Sequence, residues 1–358
     1  MQKFNYFCCT IFFMVFSNSL LQWYLHHKRD LPWRNTTNPY PIWLSEIMLQ
    51  QTRVAQGMSY FYSFTETFPT VFGLANAPEE QVLKLWQGLG YYSRARNLHK
   101  TAQVVANELN GVFPNNYKDL LKLKGIGEYT AAAIASFAYN EVVPVVDGNV
   151  FRVLSRVFDI ETDIASAPAK KQFTKLAQEL IPNNNPALFN QAIMEFGALQ
   201  CVPKNPKCEI CIFNDKCLAL QKKKVSQLPV KLKKTKVINR YFSYLVFIDS
   251  DGKTILNQRT EKGIWQNLYE FPVLETENEV DFDFVISEVK NNYKKFKIET
   301  IKSLNDSIIK HKLSHQHLHI NFFEVKILDK LSNGISIDDA MKMPFSIVIF
   351  NFLEKYLK

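Results

Sequence analysis

The 358-residue chain holds no apolar run long enough to span a bilayer. The run Phe4–Phe16 behind Lys3 resembles a signal peptide only superficially, because no small-x-small cleavage site follows it. Export is therefore not expected. Residues 1–19 read as an amino-terminal extension, with Met14 the expected true start. Cysteine is scarce, six in all, which excludes a disulfide-stapled secreted domain and suits a cytoplasmic protein. With 22% charged and 47% hydrophobic residues, wholesale disorder is excluded as well. There is no internal repeat. Acidic residues are missing altogether from 222–240, where eight basic ones account for most of the net charge of +9. The positive excess thus belongs to a solvated linker, and charge alone does not identify a partner.

Length and pattern divide what is present. Residues 20–221 read as helical. Trp43–Leu44, Ile47–Met48 and Val54 recur at helical spacing, as do Val82, Leu85–Trp86 and Leu89. Pro41 sits where a first helical turn accepts it, and Thr130–Tyr139 is rich in alanine, the best helix former. After the linker the period changes: Tyr241–Ile248 and His315–Val325 carry the aromatic and branched residues of strands. Residues 241–358 are therefore expected to be α+β.

Three constellations carry chemistry. Leu123-Lys124-Gly125-Ile126-Gly127-Glu128-Tyr129-Thr130 puts two glycines in a tight turn between helices, where backbone can approach a phosphate closely. Alone it reads more readily as an ordinary helix–helix turn; Asp147, twenty residues after Gly127, adds a carboxylate beyond it and raises the phosphate-binding reading. Glu46 lies in a largely apolar helix. It is either a solvated carboxylate on a polar face or a general acid whose proton a dry pocket retains. With Asp147 it would form the carboxylate pair that glycoside cleavage uses. Cys201, Cys208, Cys211 and Cys217, spaced C-x6-C-x2-C-x5-C, form a metal or cluster clamp that suits zinc or iron–sulfur equally. His315, His317 and His319 alternate as half-exposed strand histidines commonly do.

These strings, with Leu31-Pro32-Trp33-Arg34 and Gly88-Leu89-Gly90-Tyr91-Tyr92-Ser93-Arg94-Ala95-Arg96-Asn97-Leu98, resemble the adenine DNA glycosylases of the MutY type within the helix-hairpin-helix superfamily. The likeness runs from about Leu20 to Cys217 and continues more loosely to the carboxyl end. It implies a mostly α helix-hairpin-helix region with an iron–sulfur loop, followed by an α+β Nudix-like lesion-recognition domain. That domain lacks a Nudix hydrolase box. It further implies that Glu46 protonates adenine, that Asp147 faces the cationic sugar, and that Tyr129 and Asn149 orient carboxylate and water. Arg34 and Gln191 would line the adenine pocket, and Gln51 and Tyr91 would enter the duplex. Gly125 and Gly127 would hold phosphate, and Ser314 and His315 would contact 8-oxoguanine. The four cysteines would hold a [4Fe–4S] cluster. The implied partner is double-stranded DNA with A:8-oxoguanine or A:G mispairs, met by a monomer at the nucleoid. Endonuclease III relatives carry a lysine where Tyr129 stands, so monofunctional chemistry is expected rather than a lyase. A binding protein without catalysis is the other alternative, and retention of both carboxylates speaks against it. Three residues depart from the family pattern: Lys124 replaces a proline, Glu128 is acidic, and Leu313 replaces a phenylalanine.

Overall fold

The computed structural model describes residues 6–232 and 236–356. The first five residues of the expected extension and 233–235 of the basic linker lie outside the described residues. Helices α1 (Tyr6–His27), α2 (Pro39–Met48), α3 (Val54–Thr67), α4 (Val71–Asn76), α5 (Glu79–Leu85), α6 (Ser93–Asn107), α7 (Tyr117–Leu120), α8 (Glu128–Tyr139), α9 (Gly148–Phe158), α10 (Ala167–Leu180), α11 (Pro186–Leu199) and α12 (Leu218–Gln221) come first. They are followed by β1 (Ile238–Ile248), β2 (Asn257–Gln258), β3 (Tyr269–Glu270), β4 (Val273–Thr276), α13 (Phe282–Asn292), β5 (Ile298–Ser303), β6 (Ile309–Lys312), β7 (Gln316–Ile327), α14 (Ile337–Ala340) and α15 (Ile347–Tyr356). The mostly α and α+β halves are both present. Among the described residues, no helix is long and apolar enough to cross a membrane.

By packing, the chain forms two units. One runs to Ala75 and takes in Lys100–Lys233; the other joins Asn76–His99 to the carboxyl-terminal residues from Lys234 onward. In the first, α1, α9, α10 and α11 enclose Phe16, Leu20, Trp23, Val153, Leu154, Phe173, Phe189 and Phe196. Phe213 of the cysteine loop stacks on Phe16 with ring centroids 4.7 Å apart. One helix start and one helix end follow from capping. The Asn38 side chain accepts the Tyr40 N–H at 3.0 Å, so α2 begins at Pro39, two residues before Pro41. At the end of α8, Asn140 takes a left-handed φ of 56°, which stops the alanine-rich helix. The first part of the basic segment packs on this unit: Lys222 pairs with Asp159 at 2.6 Å, Leu228 is buried, and Ile164 N–H donates to the Val230 carbonyl.

In the second unit five strands form a mixed sheet in the order β4-β1-β7-β5, with β6 also paired to β7. Strands β1 and β7 run parallel, Ile238 opposite Gln316 through Ile248 opposite Lys326. Helices cover both faces, and this explains the unbroken burial of Phe242–Phe247. On one face Leu245, Phe247 and Val325 meet Val285 and Val289 of α13. On the other, Phe322 stacks on Phe352 of α15 at 3.8 Å. The segment 76–99 is fastened to this unit by specific bonds. Lys84 Nζ donates to the Met341 and Met343 carbonyls, Tyr92 Oη to the Phe345 carbonyl, and Arg96 to the Gln266 carbonyl. His319 stacks on Tyr241 and bonds Asn239.

Candidate active site

Within the first unit a cleft of about 1250 Å³ opens between α2, the glycine hairpin, α8 and the segment leading into α9; Glu46, Gln51, Gly127, Tyr129 and Asp147 line it. Glu46 comes from α2, where Trp43, Leu44, Ile47 and Met48 are buried around it, and it is itself only 7% exposed. The Tyr129 hydroxyl donates to Glu46 Oε2 at 2.6 Å. Burial pushes the Glu46 carboxyl up to about 7; the Tyr129 hydrogen bond works against this, and the Asp147 charge adds to it. Burial and the two neighbouring carboxylates raise the Tyr129 phenol well above its usual range, so it stays a donor.

Asp147 is held differently. It is the N-cap of α9, its Oδ1 accepting the Val150 N–H at 2.8 Å, while Asn149 Nδ2 donates to Oδ2 at 2.7 Å. Desolvation raises its pKa, and these bonds, with the nearby Arg152, pull against the rise. A helix amino end favours the anion. Two carboxyls in one cleft are therefore set apart, one inclined to keep its proton and the other supplied with donors. Arg152 extends the arrangement: its guanidinium donates to Asn149 Oδ1 at 2.8 Å, the Gly197 carbonyl at 2.6 Å and the Cys201 carbonyl at 2.7 Å.

Cys201 opens the cysteine loop. All four thiols are free and line one small cavity with Arg156, Phe196 and Phe213. Arg156 Nη1 lies 3.5 Å from Cys201 Sγ, and the Phe213 N–H donates to Cys211 Sγ at 3.4 Å. Four sulfurs around one space, with a guanidinium and an amide aimed at two of them, suit a metal group bound by thiolates. Among the described residues, no three histidine, cysteine or carboxylate groups gather closely enough to hold one metal ion.

Arg34 and Gln191 do not line the cleft. Arg34 makes a bidentate pair with Glu195, at 3.0 and 2.8 Å, and Gln191 Oε1 accepts the Tyr24 hydroxyl at 2.7 Å. Arg29 grips the same Glu195 at 2.8 and 2.6 Å. Burial would raise the Glu195 carboxyl, but hydrogen bonds from both arginines hold it at about 2. The cluster is within electrostatic reach of Glu46, whose proton Arg34 loosens. Reading the sequence alone missed Glu195; the available signal was a lone carboxylate in the apolar run of α11.

Gly125 has a φ of +76°, a left-handed backbone that glycine supplies without strain, and exposed Gly127 caps α8. Gln51 and Tyr91 share a different trait: each takes a left-handed φ, 56° and 49°, with its side chain exposed. Seven other non-glycine residues among those described share that conformation, Asn140 and Asp159 as helix ends. In the second unit Tyr91, Trp265, His311, Leu313 and Ser314 line a cavity of about 780 Å³. The Tyr91 hydroxyl is hydrogen-bonded to Ser314 Oγ, and Ser314 and His315 are exposed at the β6–β7 turn.

Residues 44–183 match the model of the HhH-GPD superfamily base excision DNA repair protein, and residues 243–355 match the NUDIX domain. The chain is similar to the adenine DNA glycosylase of Buchnera aphidicola subsp. Baizongia pistaciae, with 38% identity over 320 residues, 89% of this chain and 88% of that protein. The human adenine DNA glycosylase is 45% identical over 223 residues, 60% of this chain and 41% of the human protein. Among solved structures, a thermostable thymine-DNA glycosylase superposes with a TM-score of 0.54 at 30% identity, covering 59% of this chain and 97% of that one.

Proposed function

Because this chain belongs to the adenine DNA glycosylase family of base excision repair, we propose that it is a monofunctional enzyme removing adenine mispaired with 8-oxoguanine or guanine. The observation that carries this reading is the unlike pair of carboxyls in one cleft, Glu46 raised to about 7 and Asp147 capping α9. A flipped adenine is a poor leaving group until its ring is protonated. Glu46 donates that proton, the C1′–N9 bond breaks with its electron pair going to the base, and adenine departs neutral. Asp147 faces the sugar cation and steadies it electrostatically or by a transient ester. Water then adds to C1′, and the proton it releases returns to a carboxylate. Asn149 fixes the rotamer of Asp147, and Tyr129 holds Glu46 by its hydroxyl. A phenol forms no Schiff base with the sugar, so strand cleavage does not follow excision.

Cys201, Cys208, Cys211 and Cys217 would hold a [4Fe–4S] cluster, which supplies structural cross-linking of the loop. The division of labour is likewise our reading: chemistry in 20–221 and discrimination of the opposing base in 241–358, through Ser314 and His315. The bond between Tyr91 and Ser314 supports the second assignment by joining a duplex-entering residue to a lesion-contacting one. A gel assay on an A:8-oxoguanine duplex tests the whole. Cleavage only after alkali is expected; cleavage without alkali, or a borohydride-trapped adduct, would favour a lyase, and no product would favour a binding protein.

A further inference from the structure

Glu128 is the first residue of α8, directly after the hairpin glycine Gly127. A carboxylate at a helix amino end suits the helix. It opposes phosphate, for which the same backbone N–H groups are natural receptors. Lys170 of α10 neutralises it, with Nζ 2.6 Å from Glu128 Oε1. The two side chains are 55% and 58% exposed, and a pair so well solvated adds little to folding. Its effect falls on what passes over the surface.

Helix α10 buries Ala169, Phe173 and Ala177 and turns the opposite side outward. Lys170, Lys171, Thr174 and Lys175 line a groove there together with Glu128 and Glu179, and Lys175 Nζ lies 4.0 Å from Glu179 Oε1. Glu128, Lys170 and Thr174 also line the catalytic cleft, so groove and cleft are continuous. A nucleic-acid backbone leaving the hairpin along α10 would meet three ammonium groups. Lys170 is held closely by Glu128, and Lys175 only loosely by Glu179, at 2.6 and 4.0 Å.

We propose that the α10 groove is a second backbone-phosphate contact beyond the hairpin, and that Glu128 competes with DNA phosphate for Lys170. The proposal rests on the reading of the chain as a DNA glycosylase. With Lys170 neutralised, any duplex gains less from the groove, and a phosphate engages it only by displacing the carboxylate. Glu128 thereby lowers affinity for backbone as such, while leaving the sequence-blind hairpin bonds in place.

The test is binding of the full chain to a labelled duplex carrying one A:8-oxoguanine pair, and to its undamaged counterpart, over a salt series. Each phosphate neutralised contributes about 0.9 to the slope of log K against log salt. Glu128→Gln should bind both duplexes roughly three- to tenfold tighter at low salt, with a slope steeper by about one contact. Lys171→Gln and Lys175→Gln, which leave the Glu128 pair intact, should weaken binding with slopes shallower by about one contact each. All three positions are exposed, and thermal melts check that the variants fold. Tighter binding by Glu128→Gln with an unchanged slope would mean simple repulsion and overturn the competition. Lysine variants that match wild type would remove the groove from the DNA path. Wild type that binds no duplex in a salt-dependent way would fell the glycosylase reading itself, a result distinct from either.

Discussion

At the scale of the residue, Glu46 holds a proton near neutrality because its surroundings are dry, and two measurable consequences follow from that one property. Glu46→Gln should bind mispaired DNA yet lose excision by about 10²–10⁴-fold, roughly 2.7–5.5 kcal/mol of barrier. Single-turnover excision within threefold of wild type would remove Glu46 from the mechanism. Excision should also fall as pH rises through about 7, since the acid is then ionised. The same carboxyl affects folding. Between the unfolded value of 4.5 and about 7 the native state binds a proton the unfolded chain has released, so stability declines with rising pH across that window. The whole effect is on the order of 3 kcal/mol, at about 1.4 per pKa unit. Glu46→Gln should therefore raise the Tm relative to wild type at pH 8 and not at pH 5. A pH-independent difference would mean that the native carboxyl is not raised. Both carboxylates were legible in the sequence because each sits in a long motif. Glu195 was not: its importance comes from Arg29 and Arg34, which meet it across more than 160 positions of chain.

At the scale of the element, the amino end of α9 is placed by what packs behind it. A methyl group at Gly197 of α11 would lie 2.7 Å from Asn149 Cβ and 2.9 Å from the Asn149 carbonyl oxygen. Gly197→Ala must push α11 from α9, at about 1–3 kcal/mol of stability, and shift Asn149 and with it Asp147. The expected outcome is a lower excision rate with mispair affinity largely kept; an unchanged rate would show that the α9 cap tolerates displacement. The cysteine loop bears on the same helix through Arg152. Protein purified without oxygen should be brown and carry about four irons per chain, as a cubane on four thiolates requires. Stoichiometric zinc without iron would overturn that assignment. Spacing alone made the cysteines visible. It could not reveal Arg152 or Arg156, because arginines on a helix look alike until the loop they hold is in place.

At the scale of the whole molecule, the change from helical to alternating period after the linker was readable, whereas the second role of 76–99 was not. Its apolar spacing is that of any buried helix, and nothing local says which core buries it. Trp86 and Leu83 are fully buried, and the bonds of Lys84, Tyr92 and Arg96 run to residues between 266 and 345. A chain ending at Gln221 should consequently lose stability as well as lesion preference, with a lower Tm and Tyr91 deprived of Ser314. A truncated chain with wild-type stability would show that 76–99 needs no such partner. Ser314→Ala with His315→Ala in the full chain is the cleaner probe of recognition. It should shift the A:8-oxoguanine to A:G excision ratio by a factor corresponding to about 1–3 kcal/mol at fixed salt. The interleaving of the two units also sets a schedule on the ribosome. Residues 76–99 emerge early, and their partners follow roughly ten to fifty seconds later at ordinary elongation rates. Through that interval Lys84, Tyr92 and Arg96 stand without their carbonyl acceptors in the nascent chain, which makes this stretch the place where a chaperone would be needed and where slow translation would do most harm.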